Sequence, residues 1–163
     1  GYTLEELDRP GEFNPEKAEL LNVPVGPLWG KLQKGQPVVS SDGKTVFPED
    51  VMGKKRSGRK FSFVTDTLYK TSIAKEVYGS DLLVCEAMFE NDLIDQAKEK
   101  KHMTAREAAL IARDSNSLRM YMIHYSPRYN DKELEKLLLQ AREIYPGAEL
   151  SKDRMCIDIP YVD

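Results

Sequence analysis

The chain has 163 residues, enough for one domain or a large piece of one, and its 40% hydrophobic and 31% charged residues are ordinary for a globular protein. A net charge of −3 argues against a chain-wide nucleic-acid-binding surface, and two cysteines are too few for a disulfide framework. No apolar run approaches the roughly 20 residues of a membrane span, and the opening Gly1-Tyr2-Thr3-Leu4-Glu5-Glu6 has neither the basic start nor the apolar run of a signal peptide. The expectation is a cytoplasmic protein with no membrane partner, with Cys85 and Cys156 as reduced thiols in strand-like segments.

Residues 1–60 are punctuated by turn formers: Arg9-Pro10-Gly11, Asn14-Pro15, Val25-Gly26-Pro27 and Asp42-Gly43. Asn14 to Leu21 predicts a short helix, with Asn14 as N-cap, Pro15 at the first helical position and Glu16 favouring the dipole. Pro37 to Phe47 predicts a β-hairpin around Asp42-Gly43. Gly53 to Lys60 gathers Lys54, Lys55, Arg56, Arg59 and Lys60, which taken alone reads as a solvated loop. This stretch reads as an extended arm without a core of its own.

From residue 61 the pattern changes to alternating strand and helix. Strands are predicted at Lys60–Thr65, Leu82–Cys85, Leu118–Ile123 and Met155–Ile159, and helices at Tyr69–Tyr78, Asn91–Lys100, Thr104–Asp114 and Asp131–Tyr145. Thr104 stands three residues before Glu107, the capping-box spacing, and Ala105, Ala108, Ala109 and Ala112 share one helical face. This order argues for one layered α/β unit over residues 61–163.

Three strand ends carry side chains with chemistry. Ser62-Phe63-Val64 runs into Asp66, Leu82-Leu83-Val84 into Glu86, and Met120 to Ile123 into His124. In open α/β sheets, sites form at the carboxyl ends of strands. Asp66 reads equally as a turn aspartate or as a metal ligand. Glu86 follows an apolar run, where an unpaired carboxylate is costly, so it reads as part of a site. His124 reads as a strand-end histidine or as a zinc ligand. His102 alone reads as a surface histidine, but paired with Glu86 it suits general acid work, the carboxylate orienting the imidazole. Cys85 lies in an apolar strand without a basic neighbour, against a nucleophilic role. Neither a phosphate loop nor a dinucleotide fingerprint is present.

Taken in order, these segments resemble the C-terminal part of the ribonuclease Z family, zinc-dependent endonucleases of the metallo-β-lactamase superfamily that trim the 3′ end of precursor tRNA. Thr65-Asp66-Thr67 is similar to the motif of the bridging aspartate. Glu86-Ala87 resembles the His-Glu-Ala-Thr element, with Cys85 in place of its histidine and Met88 in place of its threonine. His102-Met103-Thr104 resembles the His-Ser-Thr element, and His124 to Tyr129 the final histidine motif. Val25 to Leu32, with Gly35, resembles the glycine-proline segment of the tRNA-binding arm.

The resemblance implies a four-layer αββα metallo-β-lactamase fold, to which this chain contributes the C-terminal half plus an arm. It implies two zinc ions per active site, bridged by Asp66 and bound at one ion by His124. His102, oriented by Glu86, would be the general acid, and Gly26, Pro27, Lys31 and Lys34 would hold tRNA through its phosphates. The implied partners are precursor tRNA, a second copy in a homodimer, and an N-terminal half carrying His-x-His-x-Asp-His. With two histidines in all, this chain contains no such motif. Two other readings stay open: a non-catalytic tRNA-binding or dimerisation fragment, and a metallo-β-lactamase-type hydrolase of small molecules.

Overall fold

The computed structural model describes residues 1–161 and separates into two compact units, one formed by Gly1–Glu6 with Arg59–Tyr161 and the other by Leu7–Gly58.

The first unit is a mixed five-stranded sheet. Its strands are β1 (Tyr2–Glu5), β4 (Lys60–Val64), β5 (Leu82–Glu86), β6 (Met120–Ile123) and β7 (Ala148–Leu150), in the order β1-β4-β5-β6-β7. The strands β4 to β7 are parallel, and β1 lies antiparallel against β4. Parallel neighbours need crossovers. These are α4 (Thr71–Glu76), then a 3₁₀ turn (Asn91–Leu93) with α5 (Ile94–Lys100) and α6 (Ala105–Asp114), and finally α7 (Asp131–Arg142). Of these, α6 and α7 begin at side-chain caps. Thr104 Oγ1 accepts from Glu107 N–H at 3.2 Å while the Glu107 carboxylate takes Thr104 N–H at 2.9 Å, the predicted capping box. Asn130 likewise caps α7.

Alternation along the strands aims Val64, Leu83, Cys85, Met120, Met122 and Ala148 into one core. Ala105, Ala108, Ala109 and Ala112 of α6, with Leu137 and Ala141 of α7, close over them. The small residues of α6 let its backbone approach the strands. Met120 and Met122 are 0% exposed, and Leu82, on the opposite face, is 3% exposed. On the strands' other side, Val84, Phe61 and Phe63 are half-buried, and Tyr2 and Leu4 are 78% and 67% exposed.

The strand expected at Met155–Ile159 is not formed; the last strand is β7. The carbonyls of Asp158 and Ile159 accept instead from Arg119 Nη1 at 2.7 Å and Arg59 Nη1 at 3.0 Å, so side chains take the place of a ladder. Cys156 is exposed in this irregular segment, and Cys85 is buried in β5.

The second unit has its own core, contrary to the expectation of a coreless arm. It comprises α1 (Pro15–Leu20), α2 (Pro27–Gln33), the hairpin β2 (Val38–Val39) with β3 (Thr45–Val46), and α3 (Pro48–Val51). Ala18, Val23, Leu32, Val38, Val46 and Val51 are its interior, with Phe13 and Trp29 packed against them. Trp29 Nε1–H donates to Val23 O at 3.0 Å. Asn14 caps α1, its side chain accepting from Lys17 N–H at 2.9 Å, and Gly43 turns the hairpin at φ +82°. The expected division at residue 60 also shifts, because Tyr2–Glu5 is an edge strand of the sheet.

Candidate active site

Adjacent parallel strands end together, so Asp66, Glu86 and His124 meet at the carboxyl ends of β4, β5 and β6. The Asp66 carboxylate and the imidazoles of His102 and His124 each offer one ligand atom, and these atoms lie within 4.8 Å of one another. His124 Nε2 is 3.6 Å from Asp66 Oδ1, and the two imidazole rings are 5.1 Å apart, centroid to centroid.

Two features aim these groups. The Thr65 hydroxyl donates to Asp66 Oδ1 at 2.7 Å, and this bond holds the carboxyl below its usual pKa range, with smaller contributions from the adjacent backbone and the two histidines. His124 leaves the strand with φ +61°, a left-handed conformation that costs a non-glycine residue on the order of 1 kcal/mol or more. The turn is held on both sides. The Tyr125 hydroxyl donates to Met122 O and accepts Ser151 N–H, and Ser126 N–H reaches Met88 O at 3.2 Å.

Glu86 is completely buried. It accepts Thr67 N–H at 2.7 Å and Met103 N–H at 3.3 Å, and both its oxygens lie 3.1 Å from His102 Nδ1. A buried carboxylate facing Nδ1 sets the tautomer: that nitrogen carries its hydrogen toward Glu86, and Nε2 faces the other groups. Phe89, buried beneath, sits 6.3 Å from the His102 ring. Cys85 is out of reach of this chemistry, since burial pushes its thiol pKa far up, with the Glu86 charge adding to the effect.

The donor set of one carboxylate and two imidazoles fits a divalent cation such as zinc. Sequence reasoning placed Asp66 and His124 as ligands and His102 as an acid; the geometry brings all three together. The backbone donors of Thr67 and Met103 were not foreseen, because any residue type supplies them. Gly26, Pro27, Lys31 and Lys34 gather on α2: Gly26 precedes it at φ +146°, Pro27 opens it, and Lys31 and Lys34 are exposed in its last turn and at its C-cap.

Helical crossovers join a mixed sheet that carries a carboxylate–imidazole cluster at its strand ends, and the chain belongs to the beta-lactamase superfamily, whose domain matches residues 37–125. Within that class it is similar to ribonuclease Z of Treponema denticola, with 63% identity over 163 residues, covering 100% of this chain and 53% of that protein. It is also similar to ribonuclease Z of Treponema pallidum (55% identity, 99% of this chain and 52% of that one) and of Myxococcus xanthus (45% identity, 100% and 53%). The chain thus spans about half the length of these curated relatives. Among solved structures, the metallo-beta-lactamase fold protein YhfI from Bacillus subtilis matches with a TM-score of 0.51 and 22% identity, over 58% of this chain and 37% of that one, a likeness of fold.

Proposed function

We propose that this chain is the C-terminal part of a zinc-dependent endoribonuclease that removes the 3′ trailer from precursor tRNA. The observation that carries this reading is the convergence of Asp66, His102 and His124 around Glu86, in a chain 63% identical to a ribonuclease Z. Asp66 and His124 would hold metal, with the remaining ligands coming from sequence outside this chain. Bound metal supplies Lewis acidity at the phosphodiester.

The chain's own residues do the rest. Glu86 fixes the His102 ring by its Nδ1–H. As a water adds to phosphorus and releases its proton to solvent, His102 Nε2 gives its proton to the leaving 3′ oxygen, and that oxygen's bond to phosphorus breaks without a free alkoxide forming. The left-handed turn at His124 directs its imidazole toward Asp66 and out of the plane of β6. On α2, Lys31 and Lys34 contact tRNA phosphates, and Gly26 with Pro27 allows close backbone approach.

The test is cleavage of precursor tRNA by the protein extended to the length of its relatives. A single cut releasing the 3′ trailer, lost on chelation and restored by zinc, is the expected result. Hydrolysis of small esters or lactams with no tRNA cleavage would favour the small-molecule reading. Tight tRNA binding with no cleavage would favour the non-catalytic one.

A further inference from the structure

Glu86 is the one charged side chain among the buried described residues. Orienting a histidine needs a single carboxylate oxygen, yet here each oxygen lies at equal distance from His102 Nδ1 and is shared with a backbone N–H from a different loop. One of those amides, Thr67, directly follows Asp66. The other, Met103, directly follows His102. The same strand end continues into the third loop: Ala87 N–H donates to Ile123 O at 3.0 Å, one residue before His124, and Met88 O accepts from Ser126, two residues after it. An unpaired buried carboxylate is costly, so it stays in place only while both loops present their donors. Movement of either loop is therefore felt by the other.

We propose that Glu86 is a positioning residue for Asp66 as well as for His102. It ties the loop after β4 to the loop before α6 and so sets where the Asp66 carboxylate meets a divalent cation. The consequence for metal rests on the reading that Asp66 is a ligand; the tie between loops rests on the hydrogen bonds alone.

The experiment combines amide hydrogen exchange, read by NMR on this chain, with titration of zinc alone against a chromophoric chelator. In Glu86→Ala, the Thr67 and Met103 amides exchange at least about tenfold faster, since each loses a bond to a charged acceptor. In the isosteric Glu86→Gln, whose amide keeps one acceptor oxygen, only one of the two is released. His102→Ala leaves both protected. Zinc affinity falls about 10- to 100-fold in Glu86→Ala, the usual cost of losing a group that orients a ligand. The same loss appears in the His102→Ala background and vanishes in the Asp66→Ala background. An unchanged Thr67 amide in both Glu86 variants overturns the proposal, as does a zinc effect that disappears once His102 is gone. Faster Thr67 exchange with zinc affinity indifferent to Asp66→Ala would leave the tie standing and remove Asp66 from the metal.

Discussion

The Glu6 carboxylate takes the Arg59 guanidinium and the Arg59 backbone N–H, and the first of these is the main reason its pKa is held down to about 2 from 4.5. The sign follows from a depressed carboxylate: its contribution to stability is full above pH 4.5 and is lost as pH falls from there through 2. A Glu6 side-chain titration by NMR should show a midpoint near 2, and Arg59→Ala should return it toward 4.5. An unchanged midpoint in Arg59→Ala would remove the guanidinium as the cause. The same scale explains which site residues were readable. Asp66, Glu86 and His124 were found because a polar side chain at the end of an apolar strand breaks the pattern. His102 needed its partner Glu86, sixteen residues away, to become more than a surface histidine. The left-handed turn at His124 had no signal, since no glycine marks it.

Among elements, α6 matters most to the site, because it starts three residues after His102. Thr104→Ala removes its cap and should cost about 1 kcal/mol in denaturant unfolding. It should also speed exchange of the Met103 amide, which binds Glu86 one residue away. A stability loss below a few tenths would mean that the box is ornamental. The helices α1, α4, α5, α6 and α7 were legible from periodicity and caps, within about three residues at their ends, whereas α2 and α3 were not. The three-residue β7 was not: it follows Pro146-Gly147 at once, too short to show alternation. The apolar Met155–Ile159 looked like a better strand, but arginine side chains occupy its carbonyls. Residues 7–58 looked coreless because five of their six core residues sit singly on five short elements and Val23 lies between α1 and α2. For α2, Lys31→Ala with Lys34→Ala in the intact enzyme should raise KM for precursor tRNA. It should also flatten the salt dependence by roughly one log–log unit per lost phosphate contact. Turnover of a small phosphodiester should barely change, since that substrate has no tRNA body to hold. Equal losses on both substrates would make α2 part of the scaffold.

At the scale of the molecule, one sheet carries helices over Met120 and Met122, while Tyr2, Leu4, Phe61, Phe63 and Val84 lie on its less covered side. An αββα sandwich needs a second sheet there, and the chain is about half the length of its relatives. We therefore expect the N-terminal half to cover this face, and the isolated chain to self-associate through it. Light scattering should show Tyr2→Ser with Leu4→Ser shifting the chain toward monomer; no shift would place the contact elsewhere. The site divides in the same way. Asp66 and His124 are too few ligands for two cations, so the isolated chain should not bind two zinc ions tightly, and submicromolar binding of two by calorimetry would contradict the division.

In the proposed reaction His102, held by Glu86, moves a proton while Asp66 and His124 would hold metal. The most direct measurement is single-turnover cleavage of precursor tRNA by His102→Ala in the intact enzyme, with zinc content and tRNA affinity measured on the same sample. A rate loss of about 10²–10⁴-fold with zinc and affinity retained is expected. Zinc lost along with activity would make His102 a ligand and contradict it.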